Sequence, residues 1–196
     1  MWYSAYSFDK KEMVHVDATR TINVRSMCYV GVFAALMAVC SWIAVPTAVP
    51  FTLQTLGVFL AVGLLGGKLG TAAVVVYVLL GAFGLPVFAN FSGGAGVLLS
   101  NTGGYIIGFI FSALFMWAME HLLGRRTWVL LVSMLAGLVI CYAFGTAWFM
   151  LLYMRTTGPV GLVTVLGWCV FPFVLPDLLK ILLAMTITAR LRPYVR

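Results

Sequence analysis

Charge is what this 196-residue chain has least of: Asp, Glu, Lys and Arg make up 9% of it, against 63% hydrophobic residues. A soluble domain carries about a quarter of its residues as charges, so a water-soluble globular fold is excluded. Acidic residues are scarcer than basic ones, five against twelve, giving a net charge of +7. That excess does not point to nucleic acid. The basic residues stand singly or in pairs at the ends of apolar runs, the placement that sets membrane topology. The four cysteines, Cys28, Cys40, Cys141 and Cys169, lie far apart inside apolar segments. Without metal-ligand spacing they read as small core residues, not as disulfides. Histidine is confined to His15 and His121, and neither can reach the acidic residue Asp177. An intramembrane enzyme therefore lacks its nucleophile and base, its acid pair and its metal cluster. There is also no Gly-x-x-x-x-Gly-Lys-Ser/Thr loop, so any ATP must be hydrolysed by another chain. The absence of an internal repeat argues against an inverted-repeat secondary transporter.

What is present is a succession of apolar runs. The first 22 residues hold Asp9, Lys10, Lys11, Glu12, Asp17 and Arg20 and no apolar run. They read as a polar cytoplasmic tail and not a signal peptide, placed before a single membrane domain over 23–196. The runs predict helices over about 24–45, 52–65, 69–84, 103–123 and 128–153. An outer, partly inserted helix over 160–171 then breaks at Pro172 and Pro176, and a sixth span runs to residue 190. Pro46 and Pro50 place a loop over 45–52, while Gly66-Gly67-Lys68 and Gly124-Arg125-Arg126 make turns. The second helix is about 21 Å long at 1.5 Å per residue, short of a bilayer core, which leaves space for a loop to dip inward. The expected fold class is thus an all-α integral membrane protein with six transmembrane helices, a glycine-rich outer loop over 85–102 and a proline-broken sixth helix region. Six spans place both termini on one side. Ten Lys and Arg residues fall there, against Arg155 alone on the other, so both termini are expected in the cytoplasm of a multi-pass cell-membrane protein.

Two stretches have the means to carry chemistry. In Phe171-Pro-Phe-Val-Leu-Pro-Asp-Leu-Leu-Lys180, Asp177 and Lys180 are charges stranded in apolar sequence, three residues apart on one helical face. Facing lipid, each would oppose insertion by about 2.5 to 3.5 kcal/mol, so the pair points into protein. Pro176 just before Asp177 suits the first turn of a helix, where the dipole favours a carboxylate. A pair in that setting is either a ligand site or a structural ion pair locking two helices. The second stretch is the loop over 84–105, with glycines, the neutral polar residues Asn90, Ser92, Ser100, Asn101 and Thr102, and the aromatics Phe88, Phe91 and Tyr105. Non-helical backbone is tolerated at membrane depth only when buried in protein or lining a cavity. This mix suits a small, partly polar, uncharged ring; an ordinary outer loop is the alternative. On the first helix, Gly31, Ala34, Ala35 and Ala38 form a small-residue stripe that allows close helix approach, to a partner or within the chain.

Several motifs carry a resemblance that covers roughly residues 25–190. Val49-Pro-Phe-Thr-Leu-Gln-Thr-Leu56, Gly81-Ala-Phe-Gly-Leu-Pro-Val-Phe88, Phe91-Ser-Gly-Gly94, Thr102-Gly-Gly-Tyr105 and the block ending in Asp177-Leu-Leu-Lys180 resemble the BioY family. These are the biotin-specific S components of energy-coupling factor (ECF) transporters. The resemblance implies capture of biotin from outside, with a transmembrane T component and two ATP-binding cassette ATPases as partners, although some members are thought to act without them. It also implies that the small-residue stripe Gly31, Ala34, Ala35 and Ala38 docks on the T component. With biotin as ligand, the expected contacts are Asp177, Lys180, Asn90, Gln54, Thr52, Ser92, Gly93, Tyr105, Phe91 and Trp168, with Phe171 and Phe173 as further aromatic cover. No cofactor, metal or nucleic acid is expected. Two departures stand beside this set: Ser100-Asn101 where the family usually has Gly-Pro, and Leu175-Pro176 where it has Pro-Gly before the aspartate. Other readings are an S component or solo carrier for another small vitamin, and a non-transporting assembly subunit of the membrane.

The charge asymmetry generates a topology prediction. Single cysteines introduced near Lys68 and Arg125 should be labelled from the cytoplasmic side, and those near Gly94 and Gly158 from outside. Labelling of position 68 by an impermeant reagent applied outside would refute the map.

Overall fold

A helix that is apolar on every side has to be buried, and the segment Gln54–Leu65 is such a helix, with eleven of its twelve residues buried. The rest of the chain is arranged around it. The computed structural model describes residues 24–45 and 51–195; the predicted tail over 1–22 and the centre of the loop over 45–52 lie outside the described residues. In chain order the helices are α1 (Val24–Trp42), α2 (Gln54–Leu65), α3 (Gly67–Ala82), α4 (Ala95–Leu98), α5 (Gly103–Leu123), α6 (Thr127–Thr156), α7 (Leu162–Cys169) and α8 (Phe171–Val195). Helix α2 touches α1, α3, α5, α6 and α8. Among the described residues four helices, α1, α5, α6 and α8, are long and apolar enough to cross a membrane. Helices α2 and α3, with 12 and 16 residues, are shorter.

Several predicted boundaries shift, each for a local reason. The first helix stops at Trp42 instead of 45, and Thr52 is not helical. Ala44–Val45 (β1) pairs antiparallel with Phe51–Thr52 (β2), Ala44 opposite Thr52. Val45 precedes a proline, which disfavours helical backbone. Gly66 alone, at φ 86°, makes the turn between α2 and α3, so α3 starts two residues earlier than expected. The largest correction concerns Pro176. It lies inside α8, which begins at Phe171 and runs on to Val195 without a break there. The first four N–H groups of a helix have no intrahelical acceptor, so Pro172 removes nothing and Pro176 removes a single bond. The interruption falls instead at Val170, between α7 and α8. Asp177 accordingly sits in the second turn, and the helix dipole is not what holds it.

The glycine-rich stretch over 85–102 is packed, not draped. It contains a 3₁₀ turn at Ala89–Phe91 and the short helix α4. Its backbone is held from three sides: Ser41 Oγ donates to Val87 O at 2.6 Å, Trp42 Nε1 to Pro86 O at 2.9 Å, and Tyr77 OH to Val87 O at 3.0 Å. Phe88 is fully buried and meets Tyr77 edge-on, with ring centroids 5.7 Å apart. A Cβ on Gly81 would stand 2.0 Å from the Phe88 ring, so this aromatic can be seated only over glycine. At the opposite end of the bundle, Glu120 accepts the Gly67 N–H at 2.6 Å and pairs with Arg125. Arg192 of α8 in turn donates to Arg125 O at 3.3 Å. Three chain segments are tied together there.

The small-residue stripe on α1 divides. Ala34 and Ala38 are buried within the chain, 2% and 5% exposed, whereas Gly31 and Ala35 are exposed. Spacings of i, i+3, i+4 and i+7 cover a broad face, and α2 and α3 take its inner half. Gly57 of α2 comes so close that a Cβ there would lie 2.9 Å from Met37. As a surface for a partner, the stripe reduces to Gly31 and Ala35, one turn apart.

Candidate functional site

Two opposite charges buried in an apolar bundle are tolerable only if each keeps its counter-charge and its remaining donors and acceptors are met. Asp177 and Lys180 meet that condition at 3% and 6% exposure. Lys180 Nζ donates to Asp177 Oδ1 at 2.7 Å and to Thr52 O at 2.6 Å. It also lies 4.2 Å from the centroid of the Phe51 ring, a cation–π contact. Thr55 Oγ1 donates to Asp177 Oδ1 at 2.9 Å, and Tyr142 OH donates to Oδ2. The partners come from β2, α2 and α6, so one charged pair on α8 gathers three other elements.

A cavity of about 60 Å³ opens against this pair, lined also by Tyr105, Phe109, Cys141, Cys169 and Phe173. Gln54, Tyr105 and Phe109 line it and equally line a second cavity of about 200 Å³, whose other walls include Phe88, Asn90, Ser92 and Thr102. The two lie side by side between the charged pair and the glycine-rich loop. Gln54 stands at their junction with its amide fixed. Thr52 Oγ1 donates to its Oε1 at 2.9 Å, and its Nε2 donates to Tyr77 OH. Since Tyr77 gives its own hydrogen to Val87 O, its oxygen can only accept, and the amide has one orientation. One N–H and one acceptor site of Gln54 are left over. The site therefore has a deep end with a neutralised charge pair and a wider outer end made of neutral polar groups.

Of the residues expected from sequence, the structure brings Asp177, Lys180, Thr52, Gln54 and Tyr105 together at the deep end. Asn90 and Ser92 line the outer end, with Asn90 in left-handed backbone at φ 56°. Three others are placed elsewhere. Gly93 packs against backbone, where a Cβ would stand 2.2 Å from Leu85 O. Phe91 is 63% exposed and stacks on Trp42 at 5.0 Å, outside the cavity. Trp168 is 42% exposed, because α7 turns Val165 and Cys169 inward and Trp168 to the other side. Phe171 is exposed, while Phe173 lines the cavity and stacks on Phe51. Sequence reasoning missed Thr55, Tyr142 and the cavity-lining role of Cys141 and Cys169. Tyr142 had a signal: a hydroxyl in the middle of a long apolar helix needs a buried partner.

Comparison with known proteins agrees with this architecture. Residues 12–196 match the model of the BioY family. The biotin transporter BioY of Thermotoga maritima is 45% identical over 174 residues, covering 86% of this chain and 96% of its own. The probable biotin transporter BioY of Pyrococcus horikoshii is 38% identical over 172 residues, 87% of this chain and 98% of its own. In structure, the chain is similar to the crystallised S component for biotin from an ECF-type ABC transporter, with a TM-score of 0.78 at 28% identity, over 89% of this chain and 94% of that one. With the family matched across nearly the whole sequence, the chain belongs to the BioY family.

Proposed function

We propose that this chain captures biotin at the outer face of the cytoplasmic membrane and serves as the substrate-binding S component of an ECF-type transporter. The observation that carries the reading is the buried, mutually neutralised Asp177–Lys180 pair at the base of a cavity whose other polar groups are neutral. Biotin has a ureido ring with two N–H donors and a carbonyl acceptor, a flat apolar body and a valerate carboxylate. The ureido group belongs at the deep end. There Asp177 accepts, Gln54 offers one donor and one acceptor, and Lys180 is already neutralised and so holds no unpaired cation for a carboxylate. Tyr105, Phe109 and Phe173 cover the bicyclic body. The valerate chain extends toward Asn90, Ser92 and Thr102.

In this reading α1, α2, α3, α5, α6 and α8 are the six spans, the short α2 and α3 being complemented by the inward-packed loop, and both termini are cytoplasmic. The chain performs no catalysis. ATP hydrolysis falls to two partner ATPases, with a T component between them and this subunit. The T component meets α1 along Gly31 and Ala35, the half of the small-residue stripe that remains exposed; small residues there permit close helix approach in lipid.

Two experiments test the proposal. Purified protein should bind radiolabelled biotin saturably. Replacing Lys180 alone by Met leaves a buried carboxylate uncompensated and should destabilise the fold by about 3 to 5 kcal/mol. The pair Asp177→Asn with Lys180→Met should recover detergent stability yet still fail to hold biotin. A stable double variant that binds like the parent would move the site elsewhere. Secondly, bulky residues at Gly31 and Ala35 should leave biotin binding intact while abolishing copurification with T and ATPase subunits. Undiminished copurification would place docking on another surface.

A further inference from the structure

A carboxylate offers about four lone-pair sites, two on each oxygen. On Asp177 three are taken. Oδ1 receives both Lys180 Nζ and Thr55 Oγ1, and Oδ2 receives Tyr142 OH. One acceptor site remains, on Oδ2. With Oδ1 alone bonded, the carboxylate could still rock as a unit about that oxygen, whereas a bond to Oδ2 sets the plane in which its open site lies. Tyr142 closes this freedom from a different helix, α6, and the rigid ring that carries its hydroxyl also lines the cavity. Having donated its hydrogen, the phenol oxygen is itself left as an acceptor. The deep end thus presents two neighbouring acceptors, Asp177 Oδ2 and Tyr142 OH.

We propose that Tyr142 is a positioning residue for ligand recognition: by pinning Oδ2 it fixes the one open acceptor site of Asp177, so that the deep end reads an N–H donor and repels a carboxylate. This rests on the biotin reading and adds to it the residue that decides which end of the ligand enters first. Thr55, on the saturated Oδ1, has no such part. The division of labour follows from geometry, since Thr55 shares its oxygen with Lys180 whereas, among the described residues, Tyr142 alone donates to Oδ2.

The test compares variants of the full-length protein in detergent, reading biotin affinity by calorimetry and thermal stability in parallel. Binding by the parent is measured first, and its absence would be a failure of the biotin reading, recognisable before any variant is made. Tyr142→Phe keeps the ring and removes the hydroxyl. It should lose about 10- to 100-fold in affinity, the value of one ligand hydrogen bond to a charged acceptor that is no longer held in place. Thr55→Val removes a hydroxyl from the same carboxylate, so it should lower the thermal midpoint by a similar amount but cost less affinity than Tyr142→Phe. Parental affinity in Tyr142→Phe, or an equal affinity loss in Thr55→Val, would overturn the proposal. So would a Tyr142→Phe protein that fails to fold where Thr55→Val folds, since the hydroxyl would then be holding the bundle.

Discussion

The rest of the structure depends on keeping one ion pair satisfied in an apolar bundle. Removing either partner would leave a charge several kcal/mol out of balance, and the elements around Asp177 and Lys180 are placed accordingly. The β1–β2 ribbon exists at the one point where its Thr52 carbonyl can reach Lys180 and its Phe51 ring can cover the ammonium. Helix α2 starts with Gln54 and Thr55, two polar residues at the mouth of an otherwise apolar segment, and both face the site. The middle of α6 contributes its tyrosine at the depth of the aspartate. Lipid would not tolerate these groups, so the pair dictates that α8 turn this face inward.

A second constraint is steric and acts on the outer half. A loop packed among helices must meet its backbone bonds internally, and here Ser41, Trp42 and Tyr77 supply them. The same tyrosine orients Gln54, so the loop and the deep end are joined by a short chain of hydrogen bonds running from Val87 O through Tyr77 to Gln54 and Thr52. Phe88 is seated over Gly81 in this arrangement, leaving Asn90 and Ser92 to line the wider cavity. Gly81 and Gly93 thereby shape this wall by close packing, which is why Gly93, expected from sequence as a ligand contact, stands against the Leu85 backbone instead.

Much of the fold could be read from apolar runs, because burial in lipid or protein leaves few alternatives to helix. Helix ends were less legible where proline was involved. Pro176 reads as a break, yet a proline one turn past a helix start removes only one bond, and nothing local reveals that the start is at Phe171. The charged pair announced itself by its isolation, and Gln54, Thr52, Asn90 and Tyr105 by being polar in apolar surroundings. Periodicity over eight residues did not tell which side of α7 faces inward, so Trp168 was expected where Cys169 stands. The stripe on α1 failed in the same way: small size marks close approach but does not say to which neighbour, and α2 and α3 claim Ala34 and Ala38.

These constraints bear on how a buried site can be selective without a free charge. A pocket that relies on apolar contact discriminates by about 10- to 200-fold per methylene, whereas one built to hydrogen-bond a specific donor rejects analogues lacking it by about 10⁴ or more, because its own polar groups are then left unpaired. In this chain most polar groups of the deep end are met by one another; those left open include one acceptor site on Asp177 Oδ2, the phenol oxygen of Tyr142, and one donor and one acceptor on Gln54, while the third Lys180 N–H is left to the Phe51 ring. A small number of open positions, fixed by partners from five elements, keeps the empty site stable and makes its occupancy conditional on matching them. Selectivity and tolerance of burial then have a common origin: the hydrogen bonds that make the ion pair affordable inside the bundle also define what is left for the ligand.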